Sequence, residues 1–170
     1  MPRRSPVLVL VLTCALWFTA ACGPQPDLRT LKLLPTISGY YDDGVQPDGQ
    51  NRLLPSLTFQ MKNEGNLPVA NVDLVLAFWE LGADGENDSK QIRGIENTAL
   101  EPGQTSEALT VRASIGYKSV APRAEFFSNS FFKGFTVKVF AKLRGRRTPL
   151  GEFPVEPRLL PAARNDGRRP

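Results

Sequence analysis

The chain has 170 residues, a formal net charge of +4 and no histidine. This length suits one domain with a hydrophobic core of its own. Without histidine the chain lacks the commonest general base and the commonest transition-metal ligand. The composition therefore argues against an enzyme, and we predict no cofactor and no metal site.

The N-terminal 21 residues have the three zones of an export signal. Arg3 and Arg4 supply a positive end, and Val7 to Phe18 form an uncharged apolar run. That run is long enough for a signal-peptide core but shorter than the roughly 20 residues that span a bilayer. Small residues, Thr19 to Ala21, then lead directly to Cys22. We expect residues 1–21 to be removed as a signal peptide.

Small residues that end at a cysteine resemble the bacterial lipobox. The resemblance implies that the Cys22 thiol receives a diacylglyceryl group, and that Cys22 becomes the first residue of an acylated lipoprotein anchored to a membrane of the cell envelope. Thr19 stands where the lipobox usually has Leu. Ordinary secretion, with cleavage at the same bond and no lipid on Cys22, is therefore the alternative.

Two further features of this region bear on location and stability. Gly23 follows Cys22 where Asp would resemble an inner-membrane retention signal, which favours the outer membrane if the host has one. After cleavage Cys22 is the only cysteine, so no disulfide is available and stability must come from packing.

Apolar residues recur at every second position along the rest of the chain, a pattern typical of strands with one buried face. No segment has a sustained helical period. We predict about seven strands, at 57–61, 72–78, 109–113 and 135–143, with weaker candidates at 31–33, around 92 and at 150–155. The sequence therefore predicts an all-β domain at 28–160, after a linker at 22–27 and before a disordered tail at 161–170.

The region from Leu57 to Val111 carries a more specific pattern. A strand ends in Asn63 and Gly65, a second strand ends in aromatic residues, and Pro102-Gly103 precedes a third strand. These features resemble bacterial immunoglobulin-like modules of the CARDB and FxLYD types. The resemblance implies an immunoglobulin-like antiparallel β-sandwich used for adhesion, spacing or docking, with no catalytic residues to carry over.

Two acidic segments, at 84–88 and at 42–48, are candidates for ion binding. Counting from Asp84, the sixth and twelfth positions are Ser89 and Ile95, where an EF-hand requires Gly and Glu. Asp42, Asp43 and Asp48 are typical of solvated turns. We therefore predict turns in both segments and no metal site.

Arg144, Arg146 and Arg147 crowd the predicted tip of a hairpin between the strands at 135–143 and 150–155. Such a cluster of charged residues usually lies in a solvated turn. Guanidinium groups also suit contact with carboxylate or phosphate. The three arginines are therefore a candidate interaction surface.

Together these patterns favour a non-catalytic accessory lipoprotein that docks onto a protein partner in the cell envelope, without a nucleic-acid partner. The alternative is a carrier of a lipid or other apolar ligand, which needs a cavity between the sheets. Six aromatic residues are available to line such a cavity or to pack the core: Tyr40, Tyr41, Phe126, Phe127, Phe131 and Phe132.

Overall fold

The structure is a computed structural model that describes residues 24–161. The predicted signal peptide, Cys22 and the tail beyond residue 161 lie outside the described residues. In chain order the elements are the 3₁₀ helix η1 (Leu28–Thr30), β1 (Leu31–Val45), β2 (Asn51–Asn63), β3 (Val72–Glu80), β4 (Asp88–Ile95), β5 (Leu109–Arg112), β6 (Tyr117–Ser119), the 3₁₀ helix η2 (Arg123–Ser128), β7 (Phe135–Leu143), β8 (Arg146–Pro154) and β9 (Leu159–Leu160).

The strands form two sheets that face each other. One sheet has the order β5-β2-β1-β9, with β6 also paired to β2, and the other has the order β4-β3-β7-β8. All strand pairs are antiparallel except β1 with β9. The predicted all-β fold is confirmed as a largely antiparallel β-sandwich, with nine strands in the described residues where about seven were predicted.

Alternation along the strands places the core between the sheets. Leu74, Leu76 and Phe78 of β3 and Val137 and Val139 of β7 have no solvent exposure. They meet the buried face of β2, where every second side chain is apolar. Burial of these side chains is the main driving force for folding.

The sequence pattern missed the ends of the first sheet. All seven predicted strands are present, but β1 continues well past Leu33 to Val45, and neither β6 nor β9 was predicted. Leu159 and Leu160 pair in parallel with Tyr40 and Tyr41. Strand β9 approaches so closely at Gly39 that a Cβ there would lie 2.8 Å from the Leu160 side chain.

The two ends of the sandwich differ, and we name them by the residues that they hold. The proximal end holds the first described residues, the start of β1, and the β7–β8 turn, where Leu143 pairs with Arg146. The distal end holds the paired residues Val45 and Asn51 in one sheet, and Glu80 and Phe135 in the other. Within residues 24–161, no helix has the length and apolar character needed to cross a membrane.

Candidate functional site: the N-terminal linker and the arginine hairpin

The start of the domain is fixed by one buried leucine and one capping aspartate. Leu28 is 6% exposed and belongs to the core. Asp27 accepts a hydrogen bond from the Arg29 N–H on its side chain, at 3.0 Å, and one from the Thr30 hydroxyl on its carbonyl oxygen, at 2.7 Å. Such a cap satisfies N–H groups that a short helix leaves without partners. The chain is therefore held to the proximal end from residue 27 onward.

The β7–β8 hairpin has a two-residue turn, Arg144-Gly145. Both residues have positive φ, 48° and 82° respectively. A tight type I′ hairpin turn requires positive φ at both central positions. Glycine adopts this conformation without cost, whereas a residue with a Cβ, such as arginine, does so at roughly 1 kcal/mol or more.

The three predicted arginines lie together, although only one is in the turn. Arg146 and Arg147 are the first residues of β8, where they pair with Leu143 and Lys142. All three arginine side chains are exposed. The predicted hairpin is confirmed, and its arginines extend from the turn onto the edge strand.

The linker and the hairpin enclose a groove at the proximal end. The groove has a volume of about 440 Å³ and is lined on one side by Pro26, Asp27 and Leu28. Leu143 and Arg146 line the other side, together with neighbouring residues of β8. A second surface depression joins Pro24 to Leu143 and Arg144. The chain therefore enters the domain directly beside the arginine hairpin.

The arginines have no carboxylate partner among the described residues. Eight ion pairs occur there, and none includes Arg144, Arg146 or Arg147. On the outer face of the sheet Arg147 instead lies opposite Lys142. Like charges directly opposite each other on neighbouring strands destabilise a sheet. Asp73 lies on the other side of Lys142, where it pairs with Arg93. The three arginines therefore present positive charge that no ion pair of the described residues neutralises.

Asn63 joins the loops of the proximal end. Its side chain is fully buried and donates to the carbonyl oxygens of Leu67, at 2.9 Å, and Leu100, at 2.8 Å. It also accepts from the Gly65 N–H at 2.9 Å. The sequence predicted only a turn residue here, because Leu100 lies far along the chain. One buried amide group therefore links the loop after β2 to Leu100, in addition to the backbone hydrogen bonds between these loops.

The turn predicted at 42–48 is wrong for Asp42 and Asp43, which lie in β1, and correct for Asp48. All three serve as ion-pair partners. Asp42 pairs with Arg123, Asp43 with Arg52 and Asp48 with Lys118. Hydrogen bonds from the Gln50 N–H and from Lys118 hold the pKa of Asp48 below its usual value. The described residues contain no group of three or more acidic or cysteine side chains placed to hold a metal ion.

The aromatic residues fill the distal part of the sandwich. Tyr40 and Phe126 are fully buried, and the rings of Phe127 and Phe132 lie 5.4 Å from that of Tyr40. Burial raises the pKa of the Tyr40 hydroxyl far above its usual value. There are two exceptions: Phe131 is 80% exposed, and Tyr41 is half-buried outside the core, with the Arg112 guanidinium over its ring. Most of the six aromatic residues thus pack in or against the core.

Comparisons with known proteins leave this site unassigned. No protein-family model and no curated protein matches the chain. Among solved structures, the chain is similar to a calcium-binding mutant of Bacteroides uniformis beta-glucuronidase 2, with 16% sequence identity and a TM-score of 0.38. The similarity covers 74% of this chain but only 12% of that enzyme's chain. A similarity this weak carries no argument about function.

Proposed function

We propose that the chain is a non-catalytic lipoprotein of the cell envelope, cleaved before Cys22 and anchored by lipid on that cysteine, whose single β-sandwich docks onto a protein partner. The observation that carries the proposal is the geometry of the N-terminus. Leu28 and the Asp27 cap fix the chain to the proximal end. From Leu28 back to Cys22 the chain spans at most about 20 Å, so a lipid anchor holds the sandwich close to the bilayer.

The packing of the sandwich favours docking over carriage of an apolar ligand. A carrier needs a cavity between its sheets. The space between these sheets is filled by large side chains without solvent exposure, including Phe59, Leu57 and Phe78. The grooves described above lie at the surface, beside the linker.

Exposed apolar side chains at the distal end support contact with a protein. Val120 is 81% exposed, Phe131 80%, Val45 64% and Leu81 57%. Large apolar side chains at the surface are common singly, but several at one end of a domain are typical of an interaction surface. The distal end is also the end farthest from Pro24, the first residue that the structure describes. An anchor two residues before Pro24 leaves the distal end accessible to a partner.

Replacement of Cys22 tests the anchor. In a bacterial host fed labelled palmitate, we expect the wild-type protein to incorporate label and to partition with membranes. Cys22→Ser abolishes both, because two or three acyl chains give stable membrane association and none gives little. Cys14→Ser is the matched control and retains both, since Cys14 lies inside the segment that is removed. Unchanged labelling and partition in Cys22→Ser contradict the proposal.

The same membranes test the docking step. Solubilised in mild detergent, the wild-type lipoprotein migrates as a complex larger than its own mass. Val120→Asp with Phe131→Asp returns it to its own mass, because a charge at an apolar contact is costly to desolvate. Both side chains are exposed, so the free energy of unfolding changes by no more than about 0.5 kcal/mol. Migration of the wild type at its own mass contradicts docking.

A further inference from the structure

We propose that the β7–β8 hairpin is the membrane-facing surface of the domain, where Arg144, Arg146 and Arg147 contact anionic lipid headgroups. This inference deepens the proposed function and rests on it for the position of the anchor. It adds a specific surface, a chemical class of ligand and an orientation of the sandwich on the membrane.

The chain's covalent geometry brings the hairpin to the bilayer. Cys22 precedes Pro24 by two residues, so their Cα atoms are at most about 7 Å apart. Pro24 in turn lies across a surface depression from Leu143 and Arg144. An acyl chain on Cys22 inserts into the bilayer, and the bilayer surface then passes close to the arginines.

The length of the sandwich excludes the opposite orientation. Strand β7 has nine residues and is therefore about 30 Å long. The chain from Leu28 to Cys22 reaches only about 20 Å. The anchor thus cannot bring the distal end to the membrane without lifting Leu28 out of the core, where it is 6% exposed.

The charges at this surface match an anionic partner. The three arginines are exposed and belong to none of the ion pairs in the described part of the chain. Asp27 also lines the groove and contributes one negative charge there, next to the positive charges of the arginines. Arg29 adds a third cation to the groove, beside Arg146 and Arg147. Polybasic segments held next to a membrane bind anionic lipids in this way.

Two of the arginines occupy positions that are unfavourable for arginine in the folded domain. Arg144 occupies a turn position with a φ of 48°, which asparagine or glycine adopts at lower cost. Arg147 lies opposite Lys142. Both features oppose folding. Contact with an anionic surface reduces the repulsion between Arg147 and Lys142 and leaves the backbone conformation of Arg144 unchanged.

Binding of unlipidated protein to vesicles tests the inference. The chain from residue 22 to 170 with Cys22→Ser retains every described strand and the whole core. Vesicles of phosphatidylglycerol and phosphatidylcholine are compared with vesicles of phosphatidylcholine alone. Each cation near an anionic surface strengthens binding roughly fivefold at low salt, so the three arginines together contribute on the order of 100-fold. At about 0.15 M salt the advantage shrinks, because the screening length falls to roughly 8 Å.

Two variants with the same net charge distinguish an effect of where the positive charges lie from an effect of the total charge. Arg144→Gln with Arg146→Gln and Arg147→Gln abolishes the preference for anionic vesicles. Lys90→Gln with Lys118→Gln and Lys133→Gln removes three charges away from the proximal end and retains most of the preference. Equal loss in both variants, or no preference in the starting protein, overturns the inference.

The orientation is measured with a fluorescent label on a single cysteine. Asn66→Cys places the label at the proximal end, near the linker, and Val45→Cys places it at the distal end. Headgroup-quenching lipids in anionic vesicles quench the label at residue 66 more than the label at residue 45. The reverse order overturns the inference. Because this protein carries no lipid, the result is independent of the palmitate experiment. The lipid anchor and the membrane-facing hairpin can therefore be refuted independently of each other.

Discussion

Replacement of Asn63 by alanine is expected to destabilise the sandwich more than any ordinary loop substitution. The Asn63 side chain is fully buried and makes hydrogen bonds to the backbones of Gly65, Leu67 and Leu100. Its backbone also takes part, since its N–H donates to Gln104 at 3.0 Å. The backbone contacts survive the substitution, whereas the three side-chain hydrogen bonds are lost.

The magnitude follows from what each partner loses. The Leu100 oxygen keeps a second donor, the Val69 N–H at 3.1 Å. The Gly65 N–H and the Leu67 oxygen lose the only side-chain partner that the structure gives them, but both residues are only partly buried, so water reaches them. At about 1 kcal/mol per net hydrogen bond, the loss in the free energy of unfolding is about 3 kcal/mol. For a domain of this size the melting temperature falls by roughly 10 °C.

Urea unfolding of the chain from residue 22 to 170 measures this loss. Trp79 is the only tryptophan in that chain, so its fluorescence reports on the packing of β3. Asn66→Ala is the control, because Asn66 is exposed and lies in the same loop; it changes the free energy of unfolding by less than about 0.5 kcal/mol. An Asn63→Ala value within that same margin would refute the role of Asn63.

Two further substitutions test the hairpin and the aromatic cluster. Arg144→Asn creates an Asn-Gly turn suited to positive φ and raises the free energy of unfolding by about 0.5–1 kcal/mol; Arg144→Ala gives no such gain, and a gain from both would show that φ is not the cause. Tyr40→Phe leaves stability unchanged or raises it by up to about 1 kcal/mol, because the buried hydroxyl makes no well-formed hydrogen bond. A loss above about 1 kcal/mol in Tyr40→Phe would mean that the hydroxyl has a partner.

The best-predicted element is β7, whose bounds match the sequence pattern at both ends. Every second residue from Phe135 to Ala141 points into the core, and Gly145 marks the turn that follows. Strand period and turn chemistry are both local properties of the sequence, so they are readable without the fold. The β7–β8 hairpin was therefore predictable, whereas the start of β8 at Arg146, four residues before the predicted strand, was not.

The ends of the first sheet were not predictable, because their causes are not local. Pro35 and Gly39 interrupt the alternation of β1, and both are residues that usually weaken strands. Strand β9 has only two residues, too few for a period. The sequence predicted a turn at Asp42 and Asp43, because two adjacent acidic residues are typical of turns. Their ion-pair partners, Arg123 and Arg52, come close to them only in the folded domain. The groove beside the arginines likewise depends on the path of the linker.

In the proposed lipoprotein, the arginine hairpin and the lipid anchor would make different contributions to membrane binding. Two or three acyl chains already hold a protein on a membrane almost permanently. Three arginines would add about 3 kcal/mol to the free energy of membrane binding at low salt and less at physiological salt. They would therefore change the amount of bound protein very little. Their effect would be on the orientation of the sandwich relative to the bilayer. An anchor at Cys22 alone would let the sandwich tilt, whereas a second contact beside the linker would hold the proximal end against the bilayer. In the lipidated protein, replacement of the three arginines by Gln should therefore leave membrane partition unchanged and lower the quenching difference between labels at residues 66 and 45.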